Sequence, residues 1–146
     1  MSDSTILLVD DEVPFVEAMA RRMVKRGYKV ITAFSGQEAL EKLASKEGQQ
    51  IEAVILDVKM PGMNGLETLV AIKREYPLIE VIMLTGHATV ESAIEGMKMG
   101  AYDYLMKPCD FEVLSAKLTE SVELKRRREN KILEARAEMI ALRRGD

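Results

Sequence analysis

The chain holds 146 residues, 47% of them apolar and 31% charged, with net charge −3 and mean hydropathy −0.07. That is the length of one domain with enough apolar content for a core, which excludes a disordered chain. One cysteine and one histidine exclude an internal disulfide, a cysteine zinc site and a histidine metal cluster, and no run nears the ~18 consecutive apolar residues of a membrane span.

The opening segment MSDSTILLVDDE has no basic n-region and meets acids early, so it does not read as a signal peptide. The expected compartment is the cytoplasm. Charge is uneven. Residues 1–120 carry net −6 and residues 121–146 net +3. An acidic body argues against nucleic-acid binding. The basic run Lys125-Arg126-Arg127-Arg128 reads as a solvated helix face.

In chain order, a β-branched apolar run predicts a strand at 5–9. Phe15, Ala18, Met19 and Met23 then recur at helical spacing, and Gly27 offers a C-terminal cap. A second strand is expected at 29–33. Ser35 and Glu38 have capping-box spacing and open a helix over 39–43. A third strand follows at 53–58. Asn64 and Glu67 form an Asn version of the box, opening a helix over 66–76 that Pro77 ends. A fourth strand spans 81–84. Thr89 starts a helix carrying Ala93, Ile94 and Met97, closed by Gly100. A fifth strand spans 102–106, and Asp110 caps the last helix. Five strand–helix alternations predict an α/β fold with right-handed crossovers. The nearly continuous apolar character of the strands fits parallel strands covered on both faces.

The last helix is too long for one small domain. No Pro or Gly interrupts residues 110–144, about 50 Å of helix. Its heptad positions are Phe111, Leu114, Leu118, Ser121, Lys125, Arg128, Ile132, Ala135, Met139 and Leu142. They run apolar, polar, then apolar again. The first patch is expected on the sheet and the second against another helix.

In an open parallel sheet, ligands sit beyond the carboxyl ends of the strands, where strand order reverses. In the order 2-1-3-4-5 the reversal lies between strands 1 and 3. Strand 1 ends in Asp10-Asp11-Glu12 and strand 3 at Asp57. Strand 4 ends at Thr85-Gly86 and strand 5 at Lys107-Pro108. Carboxylates gathered at one edge repel one another unless a cation joins them. An oxygen-only set selects Mg2+ or Mn2+. A cation on one side and Lys107 on the other suit a dianionic phosphoryl group. Asp57, the lone acid among Val54, Ile55, Leu56 and Val58, can act as nucleophile and form an acyl phosphate. Neither GxxxxGK[ST] nor GxGxxG is present, which argues against a nucleotide cradle.

Four segments, ILLVDDE (6–12), ILDVKMPGMNGLE (55–67), VIMLTGHA (81–88) and GAYDYLMKPCD (100–110), carry a family resemblance. The sequence resembles the receiver domain of bacterial two-component response regulators over residues 5–120. The resemblance implies a flavodoxin-like, CheY-like doubly wound sheet of five parallel strands, order 2-1-3-4-5, with an extended C-terminal helix. It implies a receiver domain over 1–120; beyond it, the heptad pattern makes residues 121–146 a helix extension and a candidate coiled-coil or dimerisation segment.

The resemblance also implies residue roles. Asp57 matches the phosphoacceptor. Asp11 matches a direct metal ligand, and Asp10 one that acts mainly through water. The backbone carbonyl of Lys59 matches the third protein ligand of Mg2+ or Mn2+. Lys107 matches the phosphate-contacting lysine and Thr85 the switch hydroxyl that also meets the phosphoryl group. Tyr104 matches the switch aromatic. The Lys107–Pro108 peptide is expected to be cis. The implied partner is a sensor histidine kinase or histidine phosphotransfer protein, and a homodimer through the last helix is expected.

Other readings carry less. His87 reads as a loop residue, Cys109 as a small semi-buried one, and the methionines as adaptable core filling. A haloacid-dehalogenase-like phosphotransferase would want an acid two residues after Asp57, where Lys59 stands. The chain is therefore expected to catalyse only its own phosphorylation and dephosphorylation. A phosphorylation-independent module would lose an acid or the lysine. A flavodoxin-like cofactor binder would want a phosphate-cradling loop after strand 1. Only some 25 residues follow the resemblance, which leaves both a stand-alone regulator and a piece of a longer one open.

Overall fold

The computed structural model describes residues 4–145. Strands β1 (Thr5–Val9), β2 (Lys29–Ala33), β3 (Ile51–Leu56), β4 (Glu80–Thr85) and β5 (Asp103–Met106) form one sheet in the order β2-β1-β3-β4-β5. Every pairing is parallel. Helices α1 (Val13–Arg26), α2 (Gly36–Ala44), α3 (Gly65–Glu75), α4 (Val90–Lys98) and α5 (Phe111–Arg144) follow the strands in turn. Fold class and strand order are those expected. The strand limits differ by a residue or two, and a 3-10 turn at Glu47–Gln50 precedes β3, where the sequence shows no periodic signal.

Side chains on a strand alternate between faces, and the core divides accordingly. Ile6 and Leu8 of β1, Ala53 and Ile55 of β3, and Ile82 and Leu84 of β4 pack with Val16, Met19 and Met23 of α1. Phe111, Leu114, Leu118 and Val122 of α5 complete that layer. Leu7, Val9, Val54, Leu56, Val81 and Met83 face the other way, onto Leu43 of α2 and Leu69 and Ile72 of α3. The central strands are buried on both faces, as the continuous apolar runs imply, and edge strands β2 and β5 are only partly covered.

Local signals set the helix ends. Gly27 adopts φ +103° and its amide closes α1 on Met23 and Val24, a conformation glycine reaches without the Cβ penalty. The Ser35 hydroxyl accepts from the Glu38 amide, but the Glu38 carboxylate takes the Phe34 amide, not that of Ser35. The expected box is thus half formed, its acid being used by the amide just past edge strand β2. The Asn64 box is complete. Asn64 Oδ1 accepts from the Glu67 amide at 2.9 Å and Glu67 Oε1 from the Asn64 amide at 3.0 Å. Asn64→Ala should cost about 1 kcal/mol, a fall of roughly 3 °C in Tm by calorimetry.

α5 crosses residue 120 without a break and extends for 34 residues. One expectation is corrected here. The basic run 125–128 is only in part a solvated face: Arg127 and Arg128 are exposed, but three of the four side chains are paired. Arg126 forms a two-pronged pair with Glu52, Arg128 binds Glu80, and Lys125 pairs with Glu129. The carboxylates Glu52 and Glu80 stand at the start of β3 and β4, where burial demands a counter-charge. Farther on, Ile132, Leu133, Met139, Ile140 and Leu142 are exposed. No helix among the described residues is long and apolar enough to cross a membrane.

Candidate functional site

The sheet alternation carried one residue beyond the strands places the acids. Asp10 follows Leu8, and Asp57 follows Ile55, so both belong to the layer facing α1 and α5. The ladder holds them there. The Asp10 amide donates to Ala33 O at 3.1 Å and the Asp57 amide to Val9 O at 3.0 Å. Both side chains are buried, Asp10 at 1% and Asp57 at 2% exposure. Asp57 Oδ1 also accepts from the Val58 amide at 2.8 Å. Asp11 completes the group: one oxygen from each of Asp10, Asp11 and Asp57 lies within 4.8 Å of the others. Opposite oxygens around Mg2+ are about 4.2 Å apart, so small side-chain rotations bring this set to bonding distance. An all-oxygen donor set without nitrogen or sulfur fits a hard divalent cation.

Lys107 reaches the same point from β5. Its Nζ lies 2.6 Å from Asp10 Oδ2 and 2.9 Å from Glu12 Oε1. It also sits 4.0 Å from the centre of the Phe15 ring, a cation–π contact. Burial alone would lower the lysine pKa, but the hydrogen bonds to Asp10 and Glu12 outweigh it and hold it above its ordinary value. Asp10 is raised, first by burial, with the Asp57 charge adding to it against the opposing pull of Lys107. Glu12 is lowered by its hydrogen bond to Lys107. The Lys107–Pro108 peptide is cis.

Thr85 ends β4 fully buried, its Oγ1 accepting from the His87 amide at 3.0 Å. Its parity with Val81 and Met83 turns it toward the α2–α3 layer, the layer against which Tyr104 packs. The Tyr104 hydroxyl is 2.6 Å from Ser92 Oγ on α4. A cavity of about 490 Å3 opens over the acids, lined by Asp11, Glu12, Asp57, Lys59, Met60, Pro61 and His87. Asp10, Asp11, Asp57, Lys59 and Lys107 thus meet at one strand-end cleft, while Thr85 is joined to its lining only through the His87 amide. Tyr104 lies apart, behind β4. His87 is a loop residue, and it also lines the cavity. Cys109 is half-buried and its thiol contacts Asp110 O, outside that lining.

Sequence reasoning missed three contributors. Phe15 reads as one more apolar position on α1, yet its ring carries the Lys107 ammonium. Glu12 stands at the N-cap of α1 but makes no cap bond, because its carboxylate is held by Lys107. Gly65 lies directly behind Asp57: a Cβ there would stand 2.0 Å from Asp57 O and 2.6 Å from Val58 Cα. The Asn64-Gly65 step inside the capping box is the signal that could have shown it.

Known proteins match this arrangement. The response regulator receiver domain family model matches residues 6–119. The transcriptional regulatory protein ZraR of Klebsiella oxytoca is 36% identical over 137 residues, 94% of this chain and 30% of that protein. A putative NtrX-like response regulator of Rickettsia conorii is 38% identical over 133 residues, 89% of this chain and 27% of that protein. The chain therefore spans under a third of the length of these curated relatives. A receiver domain crystal structure from Clostridium thermocellum aligns with TM-score 0.79 at 35% identity, covering 84% of this chain and 97% of that one. NtrX of Brucella abortus, in a crystal structure with ATP, aligns with TM-score 0.80 at 31% identity, covering 91% of this chain and 30% of its own. With the strand order, the strand-end acids and the family match in agreement, this chain belongs to the response regulator receiver domains.

Proposed function

We propose that this receiver domain is a phospho-accepting switch in the cytoplasm, loaded from a phosphohistidine on a sensor kinase or histidine phosphotransfer protein. The observation that carries the reading is the convergence of three carboxylates and one ammonium in a single cleft. Asp57 Oδ attacks phosphorus, the P–N bond of the donor breaks, and the imidazole leaves as an acyl phosphate forms on Asp57. A bound Mg2+ or Mn2+, held by Asp10, Asp11, Asp57 and the Lys59 carbonyl, would neutralise charge on the phosphoryl oxygens.

The rest falls to the chain's own groups. Lys107, now paired with Asp10 and Glu12, gains phosphoryl oxygens as a third kind of acceptor. The Thr85 hydroxyl can donate to the phosphoryl group while its oxygen still accepts from the His87 amide. Movement of Thr85 alters the layer that Tyr104 packs against and biases its hydroxyl away from Ser92. These contacts exist only in the loaded state, so loading shifts a two-state equilibrium. Lys59, standing two residues past Asp57 where a haloacid-dehalogenase-like phosphotransferase wants an acid, supports a domain that acts on itself. Phosphoramidate, a simple P–N donor, should load the chain in Mg2+ and fail to do so in excess chelator, read by intact mass. Equal loading in chelator would overturn the metal-dependent reading.

The exposed apolar residues Ile132, Met139 and Leu142 follow the heptad and are proposed to meet their equivalents in a second copy. Beryllofluoride, which occupies an acceptor aspartate as a phosphoryl mimic, should then change the dimer dissociation constant measured by sedimentation. An unchanged constant would uncouple the tail from the switch.

A further inference from the structure

The last buried apolar residue of α5 is Val122. Immediately beyond it the helix is held to the domain by charge. Arg126 Nε and Nη2 each lie 2.7 Å from a Glu52 oxygen. Arg128 Nη1 lies 3.1 Å from Glu80 Oε2. Lys73 on α3 faces Glu80 from another side, 3.8 Å away, while its Nζ binds Pro77 O and Ile79 O at 2.9 Å. The Glu52 and Glu80 side chains are only 14% and 5% exposed. Carboxylates so covered need their partners, and the guanidinium fork of Arg126 gives a pair fixed in direction as well as distance.

The placement of these acids matters. Glu52 lies near the start of β3, and the same strand leads to Asp57. Glu80 begins β4, which ends at Thr85. The two strands that deliver the acceptor and the switch hydroxyl at one edge of the sheet therefore carry the tail's anchors at the other. We propose that Glu52 and Glu80, the latter also faced by Lys73, form an ionic clamp on Arg126 and Arg128 that fixes the direction in which the tail leaves the domain. The apolar face that begins at Ile132 is thereby presented at one angle to the sheet. The clamp operates whether or not Asp57 is loaded.

Pulsed EPR tests this on the full chain. Nitroxides are placed at the exposed positions Glu41 on α2 and Glu138 on the tail, with Cys109→Ser removing the native thiol. Labelled protein is diluted into unlabelled protein so that distances are intramolecular. Arg126→Ala with Arg128→Ala should broaden the distance distribution about twofold, because alanine keeps the helix but removes the anchors. Circular dichroism should show unchanged helix content. The exchanged pair Glu52→Arg with Arg126→Glu, with Arg128 native, should restore the narrow distribution. An unchanged width in the double alanine variant would overturn the clamp, showing that helix stiffness alone sets the direction. A broadening that the exchanged pair fails to narrow would overturn its ionic basis.

Discussion

Asp57→Asn should take up no phosphoryl group under conditions that load the native chain completely, read by intact mass with acetyl phosphate and Mg2+. Asparagine keeps the shape of the side chain and the acceptor oxygen that the Val58 amide uses at 2.8 Å. It removes the anionic oxygen that the proposed reaction uses. The fold should survive the change, and in the absence of metal it should be at least as stable as native. The reason is electrostatic. Asp10 is raised by burial first, and the Asp57 charge adds to that. A carboxyl raised on folding contributes stability below its unfolded pKa of about 4 and loses it as pH rises through the folded value. Metal-free native protein should therefore lose stability across that interval, and Asp57→Asn should lessen the loss in melts recorded against pH while the larger part, due to burial, remains. Loading of the variant to the native extent would place the acceptor elsewhere.

Gly65→Ala should be strongly damaging. The added Cβ meets Asp57 O at 2.0 Å, Val58 Cα at 2.6 Å and Asp57 C at 2.9 Å, all of them backbone atoms. The Gly65 amide is also tied to Val58 O at 2.7 Å, so the loop cannot open without breaking that bond. The cost should be about 3 kcal/mol, a fall of roughly 10 °C in Tm. Acceptor geometry should suffer as well. A displacement on the order of 1 Å at the Asp57 carbonyl should slow loading about a hundredfold. Thermal melts and a mass time course check both, and native values in the two would show that the loop yields without strain.

Much of this was legible in the residues because it depends on alternation and strand ends. Ile6, Leu8 and Asp10 share a parity, as do Ala53, Ile55 and Asp57, so two acids on neighbouring strands must reach one face at one edge. Helix ends were equally readable where a side chain bonds within its own turn, as at Asn64 and Glu67. The contacts that escaped join residues far apart in the chain. Lys107 and Glu12 are separated by 95 positions, and Arg126 and Glu52 by 74. Nothing periodic marks such pairs, so Glu12 looks like one more strand-end acid and Arg126 like a solvated charge. Phe15 escaped for the opposite reason: its helical spacing explains it fully as core, and the same spacing sets its ring beneath Lys107.

In the proposed function, acids from β1 and β3 jointly seat one divalent cation beside Asp57. Titration of Mn2+, followed by the free-ion EPR signal, tests it without any phosphodonor. Native protein should bind a single ion, and Asp10→Asn, Asp11→Asn and Asp57→Asn should each weaken binding at least about tenfold. Glu47→Gln, on the turn before β3, should bind as native does. Affinity unchanged across the three aspartate variants would place the cation away from these acids.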